Sequence, residues 1–146
     1  MSMNMNRLVR KLAIMPAAAC LLLSNTVLAQ VSQTTQKAAR VRITQGPEIE
    51  MAKDFLAIIR WTTTNPGGSP VHYGIVHYGL DPKNLSQTAK SPIRLNPGHP
   101  YTNFRVRIEG LKTGITYYYT VESQEANGTG DGVKSTMKQF RIDPHG

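Results

Sequence analysis

The chain predicts an all-β fold, an antiparallel β-sandwich of about seven short strands, and three observations carry that prediction. Apolar residues recur at every second position in several segments, most clearly at Phe55, Ala57, Ile59 and Trp61, which is the period of a strand with one buried face. Turn sequences separate these segments at regular intervals: Asn65-Pro66-Gly67-Gly68-Ser69-Pro70, Asp81-Pro82-Lys83-Asn84 and Asn96-Pro97-Gly98-His99-Pro100. Finally, Leu111–Val121 ends one strand, turns at Gly114 and opens a tyrosine-rich strand. In a sandwich, a Tyr at the start of that later strand can bond back to upstream backbone and pin the two sheets together.

The first 29 residues read as a signal peptide rather than as part of the fold. Arg7, Arg10 and Lys11 form a basic start, Leu12–Leu23 is an apolar run broken by Pro16, and Val27 and Ala29 precede a cleavage point. The run is shorter than the roughly 20 apolar residues a membrane-spanning helix needs, so no stable span is expected after processing. Cys20 does not fit a lipid-attachment site, because Leu21–Leu23 continues the apolar run beyond it. The expected product is secreted or periplasmic. Residues 30–39 form a flexible leader rich in Gln, Ser and Thr, and 40–143 form one domain, long enough for a single core.

The exported part contains no Cys, which excludes a disulfide framework and thiolate metal sites. Fourteen Lys and Arg against nine acids leave it at +5. That excess favours anionic surfaces over cationic ones, and nucleic acid is not an expected partner.

Taken in order, Arg40–Thr44 is the first strand, with Val41 and Ile43 on one face, and Gly46-Pro47 breaks or kinks it. Asp54–Thr63 is the strongest strand, with Phe55, Ala57, Ile59 and Trp61 inward. Val71–Leu80 carries a near-duplication, Val-His-Tyr-Gly-Ile followed by Val-His-Tyr-Gly-Leu. The offset of five places the copies on opposite faces unless a bulge at Gly74 resets the register. Leu85–Leu95 is an edge strand whose Pro92 blocks pairing with other chains. Tyr101–Glu109 places Phe104, Val106 and Ile108 inward and Arg105 and Arg107 outward. Ile115–Ser123 buries Tyr117, Tyr119 and Val121. Ala126–Gly132 is a glycine-rich, flexible loop, and Ser135–Ile142 closes the sandwich with Phe140 and Ile142 in the core.

Trp61, Tyr78 and Leu111 with Tyr117 resemble the fibronectin type III pattern, an immunoglobulin-like fold. Val76-His77-Tyr78-Gly79-Leu80-Asp81-Pro82-Lys83-Asn84-Leu85, together with Tyr117-Tyr118-Tyr119 and Phe140-Arg141-Ile142, resembles more particularly the N-terminal domain that precedes the catalytic domain of purple acid phosphatases. The resemblance runs from about Arg40 to Ile142; Thr113 departs from the usual Pro in the corner turn. It implies a non-catalytic domain, since the family's metal ligands lie in the downstream catalytic domain.

The residues themselves give no enzyme constellation, no catalytic or metal site and no cofactor. Gly130-Asp131-Gly132 and Pro97-Gly98-His99-Pro100 read as turns without partners at ligand spacing. His72 and His77 point to opposite faces and read as surface or edge histidines. Glu48 and Glu50, either side of Ile49, read as solvated. Asn84-Leu85-Ser86 and Asn127-Gly128-Thr129 match glycosylation sequons.

One surface stands out. Leu56 and Ile58 point outward on the Asp54–Thr63 strand, followed by Arg60. The first strand and Tyr101–Glu109 flank that strand in a sandwich, so Arg42, Arg105 and Arg107 border the aliphatic pair, with Glu109 placed for local pairing. An apolar centre with an arginine rim is a common build for a binding patch. The expected function is therefore an exported binding module for a protein, an envelope component or an anionic glycan. The alternative is an accessory domain that docks on a separately encoded metallophosphoesterase.

Overall fold

The computed structural model describes residues 36–144. The expected signal peptide, 1–29, lies outside them, as does the leader up to 35. Eight strands follow in order: β1 (Ile43–Lys53), β2 (Leu56–Thr64), β3 (Val71–Gly79), β4 (Gln87–Arg94), β5 (Tyr101–Ile108), β6 (Thr116–Glu125), β7 (Gly130–Lys134) and β8 (Lys138–Arg141). They form two antiparallel sheets, β1-β2-β5 and β4-β3-β6-β7, with β8 also paired to β6. β1 and β5 flank β2, as the sandwich topology requires.

The alternation read from the sequence sets the core. Ala57, Ile59 and Trp61 of β2 and Phe104, Val106 and Ile108 of β5 face Val76, Tyr78, Tyr117, Tyr119, Val121, Phe140 and Ile142 of the other sheet. Trp61 stacks on Phe104 with ring centroids 5.2 Å apart, and Tyr117 stacks on Phe140 at 5.5 Å. At the corner, the Lys112 N–H donates to Tyr117 Oη over 2.9 Å.

Several local expectations change. β1 does not stop at Thr44 but runs through Gly46-Pro47 to Lys53, accommodating them with register shifts against β2. Phe55 is 68 % exposed instead of inward, because Asp54, at a positive φ of 57°, turns the β1–β2 hairpin there and β2 begins only at Leu56. No bulge occurs at Gly74. β3 keeps an unbroken register with β4 and β6, and the missing side chain instead makes room for the core, since a Cβ there would lie 3.0 Å from Trp61 Cη2 and 3.1 Å from Phe104 Cδ1. The closing strand divides into β7 and β8, and β7 takes up part of the predicted loop. Pro92 sits in β4, whose other side is unpaired, as expected of an edge.

Candidate functional site

On the outer face of the three-stranded sheet the side chains stand in rows across the strands. One row is Met51–Ile58–Arg107, the next is Glu48–Arg60–Arg105, and a third is Gln45–Thr62–Asn103. Arg60, Arg105 and Arg107 thus lie on the predicted face and next to one another. Leu56 shares the face, half-buried, opposite Lys53. Ile58 also points outward but is only 6 % exposed, with Met51 and Arg107 as its cross-strand neighbours. Arg42 is set apart: its backbone pairs with Thr64, donating to Thr64 Oγ1 over 3.0 Å. That lies six residues along β2 from Ile58, roughly 20 Å at the rise of a strand.

The arginines do not present bare charge. Arg105 holds Glu50 through Nε at 2.9 Å and Nη2 at 2.8 Å, the two-pronged geometry that suits guanidinium to carboxylate. Arg60 pairs with Glu48 at 2.8 Å and Arg107 with Glu109 at 2.7 Å. Hydrogen bonding from Arg105 holds the Glu50 carboxyl below its ordinary range, and the same bond raises the Arg105 guanidinium. Glu48 and Glu50 are therefore the partners of this face as well as being exposed. Between the Arg60–Glu48 and Arg105–Glu50 pairs runs a trough of about 570 Å³, bordered by Gln45, Glu48, Glu50, Arg60, Thr62, Asn103 and Arg105. Thr62 Oγ1 donates to Asn103 Oδ1 over 2.7 Å, which leaves the Asn103 amide N–H groups directed away from that bond.

A second polar group sits at the far end of the core, where sequence reading expected a surface histidine and a flexible loop. His72 is fully buried. Its Nδ1 lies 2.9 Å from Asp131 Oδ2 and its Nε2 3.0 Å from the Gly67 carbonyl, so both ring nitrogens face acceptors. Ser123 Oγ donates to the same Asp131 oxygen over 2.6 Å. Lys37 reaches Glu125 Oε2 at 3.1 Å and Asp131 Oδ1 at 3.6 Å. Burial alone would raise the Asp131 carboxyl, but the His72 and Ser123 hydrogen bonds and the nearby charges of His72 and Lys37 outweigh it and hold it low. Glu125 is also held low, chiefly by the Ser69 N–H and then by Lys37. The signal was present in the alternation of β3, which puts His72 on the face of Val76 and Tyr78. Asp131 was obscured by its Gly-Asp-Gly setting. His77 lies on the opposite face, 2.9 Å from Glu122 and 3.2 Å from Thr88 Oγ1.

Among the described residues there is no group of three or more His, Cys, Asp or Glu side chains arranged to hold a metal, and no helix long and apolar enough to cross a membrane. The architecture is similar to the sensor domain of the anti-sigma factor RsgI4 of Pseudobacteroides cellulosolvens, at 16 % identity over 72 % of this chain and 89 % of that one, with a TM-score of 0.47. Residues 52–142 match the model of the purple acid phosphatase N-terminal domain, a non-catalytic, fibronectin-III-like sandwich. That span runs from the end of β1 to the residue after β8 and covers most of the chain, which belongs to the family of purple acid phosphatase N-terminal domains.

Proposed function

We propose that the chain is an exported, non-catalytic module that binds a cell-envelope glycan in the trough on the outer face of the three-stranded sheet. The observation that carries this reading is the pairing of each bordering arginine with a glutamate. An anionic ligand would have to displace Glu48 and Glu50. A neutral, hydroxyl-rich ligand meets no such opposition, because adjacent sugar hydroxyls can donate to a carboxylate and accept from its guanidinium partner. Asn103 and Thr62 add donor and acceptor groups on the floor. The anionic partner expected from composition thus gives way to a neutral one, and Arg105 and Arg60 act as donors within ion pairs.

Affinity electrophoresis of the chain through neutral and acidic polysaccharides tests this. Retardation by a neutral polysaccharide is expected, persisting in salt because no net charge is neutralised. Asn103→Ala and Arg105→Gln should each weaken it about tenfold, the effect of losing roughly 1.4 kcal/mol. Migration unchanged in every polysaccharide would remove the reading.

A second reading, docking on a separately encoded metallophosphoesterase, is supported by family membership and by the opposite end of the sandwich. Phe55 and Leu80, 68 % and 63 % exposed, lie at the end where β8 finishes. There the Phe55 carbonyl accepts the Leu111 N–H at 2.9 Å, and the backbones of Lys53 and Asp143 form an isolated parallel β-bridge. Capture of such an enzyme from the host, lost in a Phe55→Ser, Leu80→Ser double variant while trough variants retain it, would favour this reading over glycan binding.

A further inference from the structure

The geometry around Lys37 points to a socket for a primary ammonium group, formed by Glu125, Asp131 and the Gly130 carbonyl and filled in this chain by Lys37 itself. Three oxygens converge on one nitrogen: Glu125 Oε2 and Gly130 O at 3.1 Å each and Asp131 Oδ1 at 3.6 Å. An ammonium has three N–H donors and no acceptor; here it donates to Glu125 Oε2 and Gly130 O and faces Asp131 Oδ1 as an ion pair. The Asp131 side chain is fully buried, and its Oδ1 makes no hydrogen bond. Its other oxygen is occupied by His72 and Ser123. Oδ1 is thus fixed from behind and aimed into the socket.

The spacing argues for an amine over a metal ion. Calcium–oxygen bonds run about 2.3–2.6 Å, whereas the three oxygens stand 3.1–3.6 Å from the centre that Lys37 Nζ occupies, and groups outside the socket hold two of them in place. Ser69 N–H holds Glu125 Oε1 at 2.8 Å, and β7 holds Gly130 against Gln124. A guanidinium is planar and suits a two-oxygen fork better than three converging acceptors. The socket is open to solvent on the Lys37 side, where that side chain is 34 % exposed.

Lys37 arrives on a short irregular segment that precedes β1. Ala38 N–H donates to the Pro66 carbonyl over 2.8 Å, and the segment lies against Gly67 and Gly68, both at positive φ. A Cβ at Gly67 would run into the Gln36 carbonyl, and one at Gly68 into the Glu125 carboxylate. The two glycines make the seat on which the segment rests, and the lysine occupies the socket as a tethered ligand. An amine from outside, such as a lysine side chain of another protein, therefore competes with Lys37 for the same three oxygens.

Chemical rescue in the full chain tests this. Lys37→Ala should lower the melting temperature by roughly 4–8 °C, the shift a single lost interaction gives in a small domain. n-Propylammonium should recover at least about half of that loss, since a ligand bound only by the native state stabilises it. Wild type, with its socket filled, should barely respond. If Lys37→Ala does not fold in buffer, it should fold in n-propylammonium and not in tetramethylammonium, which has no N–H to donate. No recovery by n-propylammonium, or equal recovery by tetramethylammonium at matched ionic strength, overturns the proposal.

Discussion

Tyr117 Oη accepts the Lys112 N–H at 2.9 Å, five residues upstream, across the turn that joins one sheet to the other. This bond satisfies a backbone donor in a part-buried corner that has no strand partner of its own. Tyr117→Phe keeps the stacking on Phe140 and removes only the acceptor. It should cost about 0.5–1.5 kcal/mol, the net worth of one such hydrogen bond, measured as a lower urea midpoint with an unchanged slope.

The contact of Gly74 with Trp61 and Phe104 gives a paired prediction. Gly74→Ala inserts a methyl group where no gap exists, at 3.0–3.1 Å from three core side chains. It should destabilise by about 1–3 kcal/mol through overpacking. Trp61→Ala empties the same region and should cost about 3–5 kcal/mol, a large share of the roughly 5–15 kcal/mol available to a domain. If the two positions share one space, the double variant in urea denaturation should be less unstable than the summed single costs.

Alkaline stability should depend on Tyr119, whose hydroxyl is pushed up to about 12 by burial and then by the Glu48 charge. Burial raises Tyr78 in the same direction. A phenol that ionises more readily in the unfolded chain, near about 10, favours unfolding as pH rises. Its contribution is intact below about 10 and is lost through about 12. Denaturation midpoints should fall across that window, and Tyr119→Phe should flatten the fall.

Acid acts on the other end of the core. Asp131 and Glu125 are both held below their ordinary values, so their contributions are present above about pH 4, the unfolded carboxyl range, and are lost as pH falls through the lowered values. Amide exchange at Gly130–Lys134 should therefore rise at acid pH before exchange in β2 does. Asp131→Asn should bring that early loosening to neutral pH. Uniform exchange across both strands would show that the cluster does not hold β7 separately.

The sequence made the core legible because alternation is decided by residues that are adjacent in the chain. Ala57, Ile59, Trp61, Phe104, Val106 and Tyr117 all follow from it. The edge role of Pro92 and the corner tyrosine were legible for the same reason, each being a local signal. The arginine face was only half legible. That Arg60, Arg105 and Arg107 share a surface follows from strand order, and Glu109 beside Arg107 is a local pair, but the glutamates of Arg60 and Arg105 come from β1, whose passage through Gly46-Pro47 shifts its register. Lys37, His72, Ser123, Glu125 and Asp131 come from four parts of the chain, the segment before β1 and strands β3, β6 and β7, and only the closed sandwich brings them together. Nothing local distinguishes Asp131 from a turn residue.

The repeated Val-His-Tyr-Gly of β3 has a consequence for how this strand can vary. One tetrapeptide is used inside out: His72 is sealed in the core while its counterpart His77 stands at the surface, solely because five is odd. Inserting or deleting one residue between them would invert the remainder of the strand, exposing Val76 and Tyr78 and forcing Ile75 and His77 toward the opposing sheet. Changes in length at this point are permissible only in pairs. A lineage carrying this domain should therefore keep the length between the two histidines, with glycine at position 74 where a side chain has no room, and show gaps confined to the turns on either side.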